Sequence, residues 1–407
     1  MVSHPLRVLV CGTGAASHVL ATLISSRPDV ELSVFTRSPD KAREWTNILR
    51  HERLKATLGS GRAEIAAGSF LVTSDPAQAA RGCDIAILSL PAFVHHGYLA
   101  ALAPHLEEGC VVVGLPGQCG FGFEVRKMLG RCTVLDFTSL PWVCRLERFG
   151  TRVHIAGIKE TVAGAIRETT ATSRIVDPVQ TVQSLLGDPA RLVVSGHPLG
   201  VTLGSINATV HPPIMYSRWS DWDGAPLDHE PLFYESIDER AAWLISEIGQ
   251  EIIAIARRIM SQHPAVDLSG VIDKYDWYLK SYGPGIADKS SLMTAIRTNA
   301  SYAGIAHPMI EVTPGKFIPD FSHRFLAEDV PFGLIVSRGI GEIVGVPTPT
   351  IDLVVRWAQE LLGHEYLTRH GLTGLDLAGT RCPQRYGFVT LHDILDLDEQ
   401  AALTRRS

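Results

Sequence analysis

This sequence lacks the features that mark several large protein classes. It contains no apolar run long enough to span a bilayer. An apolar strand already begins at Arg7, and a glycine turn stands where a cleavage site would fall, so no signal peptide is expected. There is no Lys/Arg-rich tract, and 37 Lys and Arg against 43 Asp and Glu leave a net charge of -6, which argues against a nucleic-acid partner. The seven cysteines (Cys11, Cys83, Cys110, Cys119, Cys132, Cys144, Cys382) are odd in number and form no C-x-x-C. That pattern argues against a disulfide framework and a zinc site, and fits a reducing cytoplasm. No internal repeat or low-complexity linker interrupts the chain. What is present is 407 residues, 45% apolar and 20% charged: a soluble globular chain with room for two domains.

The most informative segment is Arg7-Val8-Leu9-Val10-Cys11-Gly12-Thr13-Gly14-Ala15-Ala16-Ser17-His18. A buried-strand run leads into a Gly-x-Gly turn and then into small residues opening a helix. Gly12 and Gly14 allow a tight turn and a close approach of backbone to phosphate, and the helix start at Ala15, Ala16 and Ser17 offers N–H groups to an anion. The third position of the usual pattern is Ser17 rather than Gly or Ala, which is still small enough for close helix–strand packing. The segment is read as a dinucleotide pyrophosphate site.

Apolar β-branched runs alternate with helical patterns over the first 135 residues. Strands are expected at Val8–Cys11, Glu31–Thr36, Ser69–Val72, Cys83–Leu90, Cys110–Gly114 and Thr133–Phe137, with a further one at Thr151–Ile158. Helices are expected at Ala15–Ser25, Pro39–Leu49, Pro76–Ala80, Tyr98–Leu106 and Phe121–Leu129. This is the signature of an α/β, doubly wound (Rossmann) domain, taken here as residues 1–198, with ligands beyond the carboxyl ends of its parallel strands. Those ends carry Pro91, then Gly114–Gly120 with Gln118, then Thr138–Trp142 with Ser139. Turn chemistry explains the prolines and glycines but not Gln118 or Ser139.

Residues 199–407 read as a mostly α-helical second domain. Helices are expected at Leu199–Met215, kinked near His211-Pro212-Pro213, at Ile237–Ser261, at Val354–Leu362 and at Leu391–Leu397, and no run reads as a sheet. The two domains are expected to pack directly, with the active site in the cleft between them. Reduction of a carbonyl or imine by a nicotinamide needs a proton donor, a group fixing its tautomer, and a cation for a substrate carboxylate. His211, Asp329 and Arg324 have the right chemistry. Spacing alone does not separate this from a helix-end histidine at His211 and an ordinary surface pair of Arg324 and Asp329.

Longer motifs separate these readings. Gly114-Leu115-Pro116-x-Gln118-x-Gly120-Phe121, Leu140-Pro141-Trp142-x-Cys144-Arg145 and Val210-His211-Pro212 occur in order. They are followed by Arg218-Trp219-x-x-Trp222-Asp223-Gly224, Pro231-Leu232-Phe233-Tyr234 and Asn299-x-Ser301-Tyr302-x-Gly304. The series closes with Arg324, Asp329 and Arg381-Cys382-Pro383-Gln384-Arg385-Tyr386-Gly387-Phe388. Over essentially its whole length the chain resembles the octopine dehydrogenase family, the opine dehydrogenases of marine invertebrates, which has more distant bacterial members. The resemblance implies condensation of a 2-oxo acid, usually pyruvate, with the amino group of an amino acid, and reduction of the imine by NADH. It implies His211 as catalytic acid/base, Asp329 as its partner and Arg324 on the substrate carboxylate. Gln118 and Ser139 would lie near the 2-oxo acid and nicotinamide. Asn207 matches an Asn found four residues before the His in some members, where octopine-making relatives carry an aromatic residue.

Asn207 and Ser205 are small and neutral, whereas a guanidinium calls for aromatic or acidic walls. Smaller amines (alanine, glycine, taurine, β-alanine) are therefore favoured over arginine. At the end of the second strand, Thr36-Arg37-Ser38 lacks the acid that usually holds the ribose 2′-OH, and Arg37 suits a 2′-phosphate. The residues thus lean toward NADPH and the resemblance toward NADH; NADH is the expectation. The implied role is a cytoplasmic enzyme, monomer or small homo-oligomer, that reoxidises NADH when oxygen is short and binds cofactor before its substrates. The competing readings are a ketopantoate- or glycerol-3-phosphate-type reductase and a non-catalytic nucleotide sensor. The former needs a catalytic Lys before the second domain, and residues 185–215 contain none.

Overall fold

A computed structural model describes residues 5–59, 63–188 and 190–405. The chain divides into one unit running from the N-terminus to Val201 and including Asp396–Ser407, and a second unit, Thr202–Leu395. Among the described residues no helix is long and apolar enough to cross a membrane.

The first unit is built on β1 (Leu6–Cys11), α1 (Ala15–Ser25), β2 (Val30–Phe35), α2 (Pro39–Leu49), β3 (Lys55–Leu58), β4 (Ala63–Ala66) and β5 (Leu71–Thr73). It continues through α3 (Pro76–Ala79), β6 (Ile85–Leu88), α4 (Ala92–Leu102), β7 (Val111–Gly114), α5 (Phe121–Leu129) and β8 (Thr133–Phe137). Then come β9 (Trp142–Arg148), β10 (Arg152–Ile158), β11 (Thr161–Arg167), α6 (Pro178–Leu186) and β12 (Arg191–Val194). The eight-stranded sheet runs β12-β11-β8-β7-β6-β1-β2-β5. Its pairs are parallel apart from β11 against β8. The strand alternation explains why: Val8, Val10, Ile85, Ile87, Val111 and Val113 enter one core, while Leu9, Cys11, Ala86, Leu88 and Val112 enter the other. Side chains at successive positions point to opposite faces, so a strand apolar at every position needs cover on both. A second sheet, β4-β3-β10-β9, flanks the first. Its strands β3 and β4 have no counterpart in the sequence reading, because short, half-exposed runs carry little periodic signal.

Helix α4 begins at Ala92, behind Pro91 as N-cap, six residues before the expected start at Tyr98. Proline fits there because the missing N–H would be unsatisfied in any case. His18, fully buried in α1, ties the unit together: its Nδ1–H donates to Gly14 O (2.8 Å), Gly150 N–H donates to its Nε2 (2.9 Å), and its ring stacks on Trp45 at 4.0 Å.

Helix α7 (Pro198–Leu203) spans the boundary, and the second unit continues with α8 (Ile206–Trp219), α9 (Glu239–Gln262), α10 (Lys274–Tyr282) and α11 (Leu292–Arg297). The remainder is β13 (Met309–Thr313), β14 (Lys316–Pro319), α12 (Arg324–Ala327), α13 (Ile335–Val344), α14 (Pro349–Leu362) and α15 (Leu391–Leu395). The expected helix Leu199–Met215 is two helices, broken at Gly204-Ser205, while Pro212 and Pro213 sit inside α8 without ending it. The run Ala208–Met215 is buried throughout, so tertiary packing rather than its own ladder holds α8 together. The β13–β14 hairpin corrects the expectation of no strands in this half; Gly315 at φ 73° makes its turn, and its exposed Ile310 and Val312 give no buried-face pattern.

The chain end also departs from the 199–407 boundary. Asp396 adopts a left-handed conformation (φ 57°) between α15 and α16 (Leu397–Thr404), of which it is the N-cap. Its carboxylate accepts from Arg167 Nε (2.6 Å), and Glu399 accepts from the Thr170 backbone N–H, so this last helix packs with the first unit.

Candidate active site

In the first unit, the candidate cofactor residues lie at the carboxyl ends of adjacent strands. Gly12 takes φ 109°, a left-handed conformation that a side chain resists, and its N–H donates to Phe35 O (2.9 Å) on the neighbouring strand. A Cβ there would lie 2.6 Å from Leu90 Cδ2 and 3.0 Å from Ser17 Oγ. Ser17 is fully buried, its Oγ 3.4 Å from Cys11 O, which accounts for a small polar residue at the third pattern position. Gly14 is the N-cap of α1, has no side chain to cap the helix, and has open space where a Cβ would stand. Uncapped N–H groups at Ala15 and Ala16 beside an open cradle fit a pyrophosphate. The buried Ser89 Oγ, at the end of β6, has no hydrogen-bond partner among the described residues, a further polar atom suited to a bound group.

Thr36 is buried at the end of β2, and its Oγ1 accepts from Ser38 N–H. Arg37 is exposed, and its guanidinium lies against Gly97 of α4. No acidic side chain is ion-paired with it among the described residues. Gln118, in the loop after β7, holds φ 67°, one of two non-glycine residues at positive φ among those described. A strained backbone of this kind persists only where its surroundings enforce it, and such sites cluster where ligands bind. Ser139 is half-buried just beyond β8.

In the second unit the structure brings His211 and Asp329 together. His211 Nδ1 is 2.7 Å from Asp329 Oδ2, and both residues are buried. The carboxylate accepts the Nδ1 proton, leaving Nε2 as the acid–base atom. Nε2 in turn is 2.8 Å from the Tyr234 hydroxyl. One face of the imidazole stacks on Phe325 at 4.0 Å, and Phe233 meets it edge-on at 5.8 Å. Tyr234 stacks on Tyr302 at 4.0 Å, and burial pushes the phenols of Tyr234, Tyr278 and Tyr302 well above their ordinary range, so Tyr234 is a neutral hydroxyl.

Arg324 opens α12. Its Nε is 3.1 Å from Glu328, whose carboxylate is almost wholly buried, while the Arg324 side chain is 48% exposed. The surface pair left open in the sequence is thus Arg324 with Glu328, and Asp329 belongs to His211. Pairing through Nε leaves the terminal nitrogens of the fork to grip a carboxylate. Asn207 is exposed on α8, one turn before His211 and on the same helix face. The turn after Asp329 is supported from below: Arg381 is fully buried, its guanidinium 5.5 Å from the Phe332 ring and its N–H donating to Pro331 O (3.3 Å). This gives the closing Arg381–Phe388 motif a structural reason.

Tyr234, Phe325 and Glu328 are site residues to which the sequence reading gave no role. Tyr234 lay within a quoted motif and Phe325 beside Arg324, but nothing in their spacing shows an imidazole between them.

Residues 194–362 match the family of the NAD/NADP octopine/nopaline dehydrogenase alpha-helical domain. A tauropine dehydrogenase from Arabella iricolor is 45% identical over 95% of this chain and 99% of its own length. A solved octopine dehydrogenase with NADH and L-arginine matches at 40% identity with a TM-score of 0.91, and one with NADH and pyruvate at 39% with a TM-score of 0.88. Each covers 96% of this chain and 98% of the other.

Proposed function

We propose that this chain, which belongs to the octopine dehydrogenase family and is an NAD-dependent opine dehydrogenase, condenses pyruvate with the amino group of a small amino acid or taurine. The observation carrying this reading is the buried His211–Asp329 pair at 2.7 Å, with Asp329 five residues beyond Arg324, whose Nε pairs with Glu328. The amine adds to the keto carbon; protonated His211 gives its Nε2 proton to the Tyr234 hydroxyl beside it, which passes its own proton to the carbinolamine oxygen, and that oxygen leaves as water. NADH supplies the hydride that reduces the imine carbon. Asp329 stabilises the imidazolium, and Arg324 holds the 2-oxo acid carboxylate. Gln118 and Ser139 border the nicotinamide and the keto group. Gly12, Gly14, Ala15, Ala16, Ser17, Thr36, Arg37 and Pro91 form the dinucleotide site.

Asn207 and Ser205 support a small amine, as does the tauropine dehydrogenase relative. Arginine, bound by the octopine dehydrogenase, is the second reading. The seven free cysteines suit a reducing cytoplasm, where the enzyme would act as a monomer or small homo-oligomer. The test is NADH oxidation with pyruvate and, in turn, alanine, glycine, taurine, β-alanine and arginine. At least one small amine should exceed arginine in kcat/KM by about tenfold or more, the worth of one good polar contact. Arginine as the best substrate overturns the small-amine assignment, and no turnover with any amine overturns the reaction.

A further inference from the structure

His211 has no free nitrogen. Nδ1 is taken by Asp329 and Nε2 by Tyr234, with Phe325 on one ring face and Phe233 at the edge. Tyr234 is itself fixed, stacked on Tyr302 at 16° and packed edge-on against Phe233 at 4.8 Å, and it is 7% exposed. Because Asp329 holds the Nδ1 proton, Nε2 of a neutral imidazole is an acceptor and the Tyr234 O–H its donor. The hydroxyl has no second hydrogen-bond partner among the described residues. If His211 took up a proton, Nε2–H would have to donate to Tyr234 Oη, and the tyrosine's own buried proton would be left without an acceptor.

Extending the reading above, we propose that Tyr234 holds His211 neutral in the free enzyme and lets it charge only when a substrate oxygen arrives to accept the tyrosine proton. The acid is thereby formed where it is used. The other ionisable groups facing the imidazole act on it in both directions. Asp329 favours the charged form, while Arg324 on α12 disfavours it and Glu328 partly offsets Arg324; His323, the N-cap of α12, has its pKa lowered by burial and disfavours it only where it is itself protonated. Behind Tyr234 stand Tyr302 and Tyr278, whose phenols burial holds protonated, with Tyr282 beside them, and behind Phe233 stands His307, which burial holds neutral.

The test is Tyr234→Phe, which removes one hydroxyl and keeps the stacked ring. Loss of the donor to the neutral form should raise the His211 pKa in the free protein by about one unit. Two measurements read it in the full-length chain: NMR titration of the His211 ring with NADH bound but no substrate, and the pH profile of kcat/KM for pyruvate, whose limb reports the free enzyme. Both should move to higher pH by the same amount, while the kcat limb, which reports the substrate complex, moves less. A merely structural role for Tyr234 would alter rates without moving either value. An unshifted or lowered His211 titration overturns the proposal. The NMR arm needs no turnover, so it decides the Tyr234 proposal even if the amine panel shows the reaction assignment to be wrong.

Discussion

A single hydrogen bond, from His211 to Asp329 at 2.7 Å, decides which ring nitrogen does chemistry. With a carboxylate at Nδ1 the imidazole presents Nε2 and its positive form is stabilised; with an amide there, the amide N–H₂ can donate to Nδ1 and the ring turns to the other tautomer. Asp329→Asn should therefore lower kcat by roughly 10²- to 10⁴-fold, the range that general acid–base catalysis supplies. The NADH dissociation constant should stay within about twofold, because the cofactor residues belong to the first unit. Fluorescence titration with NADH and steady-state rates separate the two effects, and a kcat within threefold of wild type would remove His211 from the chemistry. At this scale the sequence is only partly legible. Sixteen histidines are present, and nothing local distinguishes His211. Its partner lies 118 residues away, and Tyr234 faces it from a loop whose course no periodicity describes.

The turn from β1 into α1 carries the cofactor assignment, and its two glycines have different reasons to be there. Gly12 is required by its own fold, through its positive φ and the 2.6 Å approach to Leu90. Gly14 has an ordinary backbone and open space around it, so its missing side chain serves what binds there. Gly12→Ala should cost roughly 1–3 kcal/mol of stability along with NADH affinity. Gly14→Ala should leave stability within about 1 kcal/mol and weaken NADH by about tenfold or more, since a methyl there keeps the pyrophosphate off the backbone. Thermal unfolding beside NADH titration tells them apart, and undiminished NADH affinity in Gly14→Ala would move the cofactor site elsewhere. This turn was readable because it lies between two strongly patterned elements; β1 and α1 match their expected ranges to within two residues. Reading failed where pattern and packing diverge, as when α8 runs through Pro212 and Pro213 because its neighbours bury it.

At the scale of the whole molecule, each unit has buried a neutral histidine to which the reaction gives no part, and together they set an acid limit on the fold. In the first unit His18 spans Gly14 and Gly150, and burial lowers its pKa from 6.5 to about 4. In the second, His307 accepts from Trp219 Nε1 (3.2 Å), and burial, helped by Arg218, lowers its pKa from 6.5 to about 3. The unfolded chain takes up these two protons near pH 6.5, whereas the folded chain refuses them until about pH 4 and about pH 3. Stability is therefore undiminished above about pH 6.5 and falls on acidification through that window, because the unfolded state binds more protons. Below pH 6 the slope contributed by each histidine approaches about 1.4 kcal/mol per pH unit. Ordinary carboxylates enter only near pH 4, so between pH 6 and 5 the histidines dominate. His307→Asn keeps a carbonyl acceptor for Trp219 and does not titrate. It should lower baseline stability yet flatten the dependence by about one histidine's share, seen as a smaller loss of unfolding free energy between pH 6 and 5 in denaturant titrations. A slope identical to that of the wild-type chain would show that His307 is already charged in the folded state, against its placement between Trp219 and Phe233.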